Sequence, residues 1–557
     1  MFRPLCLLVP LLCLAATAFA ADAERITNPD SNEVWFPHKN FPKLTTPQWV
    51  GEEGVDCVVV LAIDDMREPA KYEAYLRPIL QRLKQIDGRA AVSIMTCTVK
   101  PEDPQLQSWL QEGVSLECHT FDHPCPILAG GDLAKSKGTY DKCVDLLGSV
   151  PHNKPVAFRT PCCDSLNTVS PRFFSEIFNR TTPNGNFLQL DSSVFTVYTA
   201  DDPSIPRELL YDADGKEKFR KYIPRKLARG STVHDRFVNT IENYPYPYVI
   251  QNLCWEFPCM VPSDWSANHL HQPNNPDTVR DLKLALDITV MKQGVMNLVF
   301  HPHGWIKGEQ VVELIDHAVT KHGKKVKFLN FKECVDRLNK NLLGGESLRD
   351  SQGGDAGFRF EADNTDRTWK VVQRPVGQRP SAAATDEGRR FVDINGDGDL
   401  DVVLSNAKEY GVWLYDPVTK KYSICLVSGQ RSTPPAENEL PLIIRADGSE
   451  NGFFVRDRHL CWINEDTDGL PDFLLRVSFD SLLGDRLPDA KSPKAAVQSM
   501  HVPPGYEIQL VAHEPLTMDP IAFDWGADGK LWVAEMADYP LGIDGRGAPG
   551  GRIRFLE

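Results

Sequence analysis

Apolar runs and amphipathic stretches alternate along residues 57–342. CVVVLAID (57–64) has no polar position until its end, as a strand buried on both faces does. In AKYEAYLRPILQRLKQI (70–86), Leu76, Ile79, Leu80, Leu83 and Ile86 recur at helical spacing and make one apolar face. AAVSIM (90–95), GVSLEC (113–118), PVAF (155–158), FLQL (187–190) and VMNLVF (295–300) predict further strands. DTVRDLKLALDITVMK (277–292) and EQVVELIDHAVTKH (309–322) predict helices, the second stopped by Gly323. Strand then helix, repeated, predicts a parallel sheet with helices packed outside it.

The residues that end these strands also follow a pattern. Asp64 and Asp65 follow the first strand, His119 the third, Arg159 the fourth, Asp191 the fifth and His301 the run at 295–300. If the sheet closes into a barrel, these polar, metal-competent side chains converge on one rim, where such barrels carry their active sites.

Past the Gly-rich stretch GGESLRDSQGGDAG (344–357) the pattern changes to short β-like runs and turn residues over 358–480. Two segments there are similar, FVDINGDGDLDVVL from Phe391 and WINEDTDGLPDFLL from Trp462. LPDAKSPKAAVQSM (487–500) reads as a linker, and HVPPGYEIQLVAHEPLTMDPIAFDWGADGKLWVAE (501–535) as three short strands of a further β module. The expected organisation is therefore a signal segment 1–20, an arm 21–49, a barrel 50–345, a linker 346–357, a β module 358–486, a linker 487–500 and an incomplete β segment 501–557.

Composition narrows the partners. Residues 1–20, MFRPLCLLVPLLCLAATAFA, join Arg3 to an apolar run and the small-residue ending Ala18-Phe-Ala20, the layout of a signal peptide and so of a secreted or periplasmic chain. An uncleaved anchor is the alternative, but the run is short and contains Pro10, and no later segment reaches spanning length without charges. A net charge of −15 argues against a nucleic-acid partner and suits solubility and divalent cations. Twelve of the fourteen cysteines follow the signal segment, an even number that an oxidising compartment can pair. Cys118 with Cys125, or Cys254 with Cys259, are the first pairs to test; Cys57 and Cys118 also fit as buried thiols, and a bridge between adjacent Cys162 and Cys163 would be strained.

In His119-Thr-Phe-Asp-His123 the imidazoles stand four residues apart, so one helical turn would aim both at a shared divalent ion, although two histidines at that spacing taken alone are more often incidental. An Asp from another strand end would complete a two-histidine, one-carboxylate site with positions left for water and substrate. Asp64-Asp65 taken singly also suit a cap for the helix at 70–86.

In this order, AIDDMR, HTFDH, FRTPCCD and LVFHPHGW resemble the motifs of the polysaccharide deacetylase (NodB homology) family, metal-dependent esterases and amidases on a distorted (β/α) barrel, over about residues 50–345. The resemblance implies Asp65, His119 and His123 as ligands of a divalent metal, zinc first, and Asp64 as general base held by Arg159. It implies His301 as general acid, with His303 the alternative because His-Pro-His leaves the register open. A backbone N–H at Cys162 would serve the oxyanion. WEFPCMVPSDW (255–265) and LDSS (190–193) are similar to the later motifs and offer Asp264, Trp265 and Asp191 to a sugar pocket, although Trp265 fits equally as core. The implied substrate is an N- or O-acetylated polysaccharide or a related C–N bonded compound. Met66 stands where the family commonly has Gly, and Cys162 where it has an aromatic, so substrate fit at the rim is expected to differ.

The two Asp-rich segments place oxygen donors at alternate positions, Asp393, Asn395, Asp397 and Asp401 in one and Asn464, Asp466, Asp468 and Asp472 in the other. No Glu fills the twelfth position and the flanks read as strands, so the pair resembles calcium loops of FG-GAP or VCBS repeats rather than a helical calcium motif. VPPGYEIQLVAHEP and GKLWVAE resemble the first blade of secreted sugar dehydrogenase-like β-propellers, without a cofactor site and without the Cys-x-x-Cys-His haem signature. The leading expectation is a secreted metal-dependent deacetylase. A catalytically silent carbohydrate-binding or adhesion protein and a non-haem iron oxygenase are the alternatives, and a spare Asp64 beside Arg159 favours hydrolysis over oxygen chemistry.

Overall fold

The computed structural model describes residues 35, 37, 41–128, 132–163, 170–223, 240–363, 368–373, 386–434, 436, 438–467, 469–470, 473–486, 490–500, 506 and 508–556. The signal segment 1–20, Asp468 and Asp472 lie outside the described residues. The chain divides into two compact units, Met1–Phe391 with Val402–Val412 and Val427–Leu482, and Val392–Asp401 with Trp413–Leu426 and Leu483–Glu557.

The first unit is built on one sheet. Its strands are β1 (Cys57–Met66), β2 (Val92–Thr96), β3 (Ser115–Cys118), β4 (Ala157–Phe158), β5 (Leu190–Asp191), β6 (Phe195–Val197), β7 (Thr240–Glu242), β8 (Tyr248–Ile250), β9 (Cys254–Glu256), β10 (Cys259–Met260), β11 (Val295–Phe300) and β12 (Val326–Phe328). They pair in the order β7-β6-β10-β11-β1-β2-β3-β4-β5-β9-β8, with β12 beside the start of β1. All pairings are parallel except β8 with β9.

The ring closes through two interrupted strands. β9 pairs with β5 at Asp191 and Glu256, while β10, only Phe257 and Pro258 further on, lies between β6 and β11 at Cys259. Pairing therefore runs from β4 through residues 190–197 and 254–260 to β11 and back to β1. Pro258 has no N–H to give a ladder, which suits the break at that point. The curled parallel sheet fits the barrel expected from the sequence, with these two breaks in it.

Both faces of β1 are buried, which is why its sequence is continuously apolar. Val58, Val60 and Ala62 pack with Met95, Ala157, Leu190, Trp255, Phe257 and Val295, contributed from around the ring. Cys57, Val59, Leu61 and Ile63 face the other way, against Leu76, Ile79, Leu80 and Leu83 of the Pro69–Asp87 helix. Ile86, at the end of that helical face, is only partly buried. The helix stops at Gly88, whose φ of 71° an L side chain rarely adopts.

The stretch 346–357, expected as a linker, packs instead. Arg349 is buried and donates to the carbonyls of Gly353, Phe178, Leu188 and Asn179. Part of the expected β module belongs to the same unit: Phe453–Arg456, His459–Trp462 and Leu475–Ser478 form a three-stranded antiparallel sheet. There the Arg172 guanidinium meets the Glu465 carboxylate at 2.5 and 2.6 Å, with both side chains at most 5% exposed.

In the second unit, Pro520–Trp525, Leu531–Met536 and Gly551–Leu556 form a three-stranded antiparallel sheet with Phe523, Trp525 and Ile553 exposed. The expected linker 487–500 contains a helix, Pro493–Ser499, capped by the Ser492 side chain.

The cysteines pair differently from expectation. Cys125 is bonded to Cys162, whereas Cys118, Cys254 and Cys259 are buried thiols. Cys118 lies within β3, and Cys254 and Cys259 lie within β9 and β10, each inside the core, so none reaches the partner named for it. Cys125 and Cys162 stand on the loops that leave neighbouring strands β3 and β4, with Cα atoms 6.1 Å apart.

Candidate active site

The pairing of β1 with β2 slips between Ile63 and Met66, and Asp65 stands at φ 70°. The two carboxylates therefore leave the strand end in different directions. Asp64 is buried, and the fully buried Arg159 donates to its Oδ1 at 2.7 Å. Arg159 also donates to Ser192 O, Ser192 Oγ and Asn297 Oδ1, so its fork is held by residues beyond β5 and in β11. Tyr72 Oη donates to the Asp64 carbonyl and pins the strand end.

Asp65 faces the histidines. Its Oδ1 lies 2.7 Å from His123 Nε2 and 3.3 Å from His119 Nε2. Residues 119–123 are not helical: Thr120 and His123 have φ of 62° and 59°, and this turn, rather than a helix, sets the two rings 5.1 Å apart. Cys162 shares that backbone region at φ 57°. Four non-glycine residues held at positive φ around one mouth are strain of the kind found at functional sites.

The donor set fits a cation. His119 Nδ1 is 2.8 Å from the Arg159 carbonyl, which can only accept, so Nδ1 carries a proton and in the neutral ring Nε2 presents a lone pair toward Asp65. Asp65 Oδ1 is buried and makes no hydrogen bond of acceptable geometry. Lone pairs converging on one point without a donor between them are what a divalent ion satisfies. Asp65, His119 and His123 are among the described groups whose donor atoms lie close enough to share one ion.

The other Asp65 oxygen is engaged separately. His303 Nε2 lies 2.9 Å from Oδ2, and Lys71 Nζ lies 3.3 Å from His303 Nδ1. An ammonium can only donate, so His303 Nδ1 accepts and Nε2–H points at Asp65. His303, the alternative acid in the sequence, is thus a partner of the carboxylate ligand, and Lys71 is a residue that the sequence motifs did not single out. A cavity of about 250 Å³ opens here, lined by Asp65, Arg67, Glu68, Lys71, Tyr72, His123 and His303.

His301 is buried at the end of β11, where Asp264 Oδ1 meets its Nδ1 at 2.8 Å and Asp264 Oδ2 accepts from its backbone N–H at 2.8 Å. Its Nε2 lies 3.9 Å from Asp65 Oδ2. Burial works against the charged ring, but the Asp264 carboxylate outweighs it and lifts the His301 pKa to about 10. Asp264, offered to a sugar pocket by the sequence, is instead the partner of His301.

Two other rim residues are elsewhere. Asp191 is buried against Glu256, its register neighbour, and accepts from Ser193 Oγ at 2.9 Å rather than joining the histidines. Burial drives the carboxyl of each upward, and for Glu256 the charge of Asp191 adds to it, so the pair holds a proton well above the usual carboxylate range. Trp265 packs on His269 at 4.2 Å between ring centroids, in its own helix. The indole at the mouth is Trp305, 4.9 Å from His301 and 5.1 Å from His303. Its signal in the sequence was its place in His-Pro-His-Gly-Trp.

In the first Asp-rich loop, Asp393 accepts from Gly396 N and Gly398 N, Asn395 Nδ2 donates to Asp397 Oδ2, and Asp401 accepts from Ile394 N and Tyr415 N. Burial, with the charges of Asp397 and Asp393, lifts the Asp401 pKa to about 6. The second segment differs: Arg445 donates to Asp466 Oδ2 at 2.7 Å, and Asn464 turns its amide to the Asn451 carbonyl.

A domain of unknown function, DUF7133, matches residues 492–557, and no curated protein matches the chain. Among solved structures, the Puue allantoinase is 11% identical, covering 53% of this chain and 93% of its own, with a TM-score of 0.34. A protein from Mycobacterium smegmatis described as a polysaccharide deacetylase is 13% identical, covering 55% and 95%, with a TM-score of 0.33. A point mutant of the peptidoglycan deacetylase PdaC from Bacillus subtilis is 12% identical, covering 51% and 91%, with a TM-score of 0.28. At these scores the likenesses assign nothing to this chain, and its chemistry rests on its own residues.

Those residues divide into a triad whose donors could share one cation, a carboxylate held by Arg159, and an imidazole kept charged by Asp264. Such a site can take a proton on one side of a bound group and return one on the other.

Proposed function

We propose that the chain is a secreted hydrolase that removes acetyl groups from an N- or O-acetylated carbohydrate with a zinc-type ion held by Asp65, His119 and His123. When bound, such an ion supplies a nucleophile near neutral pH and polarises the acyl oxygen. Asp64, fixed by Arg159 at 2.7 Å, takes the proton from the attacking water. His301, oriented by Asp264, gives its proton to the departing amine or alcohol, leaving acetate and the free sugar group. The N–H of Cys162 is the candidate oxyanion donor, on a loop that the bond to Cys125 fixes. Trp305 offers the sugar an apolar face beside the acid.

The observation that carries this reading is the division of labour at Asp64-Asp65: Asp65 meets His119 and His123 through one oxygen and His303 through the other, while Asp64 is held by Arg159 at 2.7 Å and comes no nearer than 4.0 Å to His119. A separate base and acid suit proton transfer more than oxygen activation. Calcium is the candidate ion of the loop containing Asp393, Asn395, Asp397 and Asp401, where mutual repulsion of carboxylates would be relieved by a cation.

Acetate release from acetylated chito-oligosaccharides and acetylated xylan, measured with zinc and after chelation, tests the function. Metal-dependent release supports it. Binding of these glycans with no acetate released under any divalent metal refutes it in favour of a silent binder.

A further inference from the structure

Away from the barrel mouth, two imidazoles again meet one carboxylate. Asp287 lies on the Pro276–Met291 helix, and His317 ends the Gly308–His317 helix. From Ala318 to His322 the backbone winds as a π-helix, so residues five apart share a face, and His322 comes to lie beside His317. Both Nε2 atoms aim at Asp287 Oδ1, at 2.9 Å from His317 and 2.6 Å from His322. Lys321 Nζ holds the other oxygen at 2.9 Å. The Asp287 side chain is only 8% exposed, while His317 and His322 at 21% and 12% keep a path to solvent.

This layout is similar to that of the mouth, although here both imidazoles stand in hydrogen-bonding geometry to the shared oxygen, whereas Asp65 Oδ1 has no such bond. There too one carboxylate oxygen faces two Nε2 atoms at 2.7 and 3.3 Å while a donor occupies the second oxygen. In both places the donor atoms lie close enough to share one ion, and the third such group among the described residues, His123 with Cys125 and Cys162, is used up by the disulfide. Imidazole nitrogen with a single carboxylate oxygen selects a borderline transition ion, since calcium and magnesium require more oxygen. Unlike the mouth, among the described residues the cluster has no second carboxylate paired beside it as Asp64 is beside Asp65.

The geometry points to a second, structural zinc-type site on the outer helices, formed by Asp287 Oδ1, His317 Nε2 and His322 Nε2 with water completing the shell. Its work is bracing. The Pro276–Met291 helix leads directly into β11, which ends at His301, and an ion at Asp287 ties that helix to the π-turn, alongside the Lys283–Glu313 pair at 2.5 Å.

Metal content tests this independently of any hydrolase activity. The chelated full chain is titrated with zinc in excess calcium, and bound zinc is counted by equilibrium dialysis while unfolding is followed by heat. Two zinc ions per chain are expected in the wild type and one in His317→Ala, in His322→Ala and in Asp65→Asn. Zinc should raise the unfolding midpoint of Asp65→Asn by about 5 °C and leave that of Asp65→Asn/His322→Ala unchanged. His322→Gln, which keeps a donor for Asp287, gives the same zinc count should the alanine variants fold poorly. Wild-type zinc content in His317→Ala and His322→Gln, or no zinc bound by Asp65→Asn, would overturn the site and leave a plain ion-pair cluster. Loss of zinc at the mouth with retention at the helices would instead count against the proposed hydrolase alone.

Discussion

The mouth of the barrel and the Asp287 cluster each set two imidazoles against one carboxylate oxygen, and they differ in what stands around that set. At the mouth, Asp64 stands beside the triad without joining it, and His301 stands opposite with Asp264 behind it. On the outer helices Asp287 is alone, and its second oxygen is closed by Lys321. The lesson is that ligands make a binding site, while a spare base and a spare acid make a reactive one. The strain differs in parallel: Asp65 and His123 are held at positive φ, and no ligand of the outer cluster is.

The sharpest way to break this comparison is to remove the spare base. Asp64→Asn should lower acetate release by about 10²–10⁴-fold with the zinc count unchanged. Full turnover in that variant would make the two clusters equivalent.

Next is the acid. Asp264 raises the His301 pKa, and an acid works only while protonated, so Asp264→Asn should move the alkaline limb of the pH–rate profile to lower pH. Its rate at mildly alkaline pH should fall by about 10–100-fold, read from initial rates across pH. An unmoved limb would take the role from His301.

A smaller effect is expected from the support of the ligand itself. Lys71→Met leaves His303 free to turn, and zinc affinity at the mouth should weaken by about 10-fold while the outer cluster keeps its own. Competition with a chromophoric chelator reads both.

The smallest is Asp287→Asn in the metal-free chain. It keeps an acceptor for the histidines and loses the pairing with Lys321, so unfolding should be easier by about 1 kcal/mol, while acetate release by the same variant with zinc at the mouth should be unchanged. A loss of activity would mean that bracing of β11 reaches the reacting groups.

The strands, the helices and the polar residues that end each strand were legible because hydrophobic periodicity is local. Val58 to Ile63 must be apolar on both faces of a parallel strand, and the polar residue follows where the strand emerges. The disulfide was not legible, since Cys125 and Cys162 lie 37 residues apart and become neighbours only through the pairing of β3 with β4. Asp191 matched the rim pattern, but the register of β5 with β9 puts Glu256 against it and turns it into half of a carboxyl pair. Arg172 and Glu465 carry no motif at all, and their pairing follows from the packing of the first unit.

By itself the sequence determined which donor types stand at which strand ends, since alternation of apolar and polar residues is written into neighbours along the chain. Tertiary structure decided how those donors divide. Closure of the ring set Arg159 on Asp64, Asp264 on His301 and His303 on Asp65, and a π-turn set His322 beside His317. The physical reason is that a side chain's partner depends on register, backbone hand and helical pitch, which residues distant in sequence fix together.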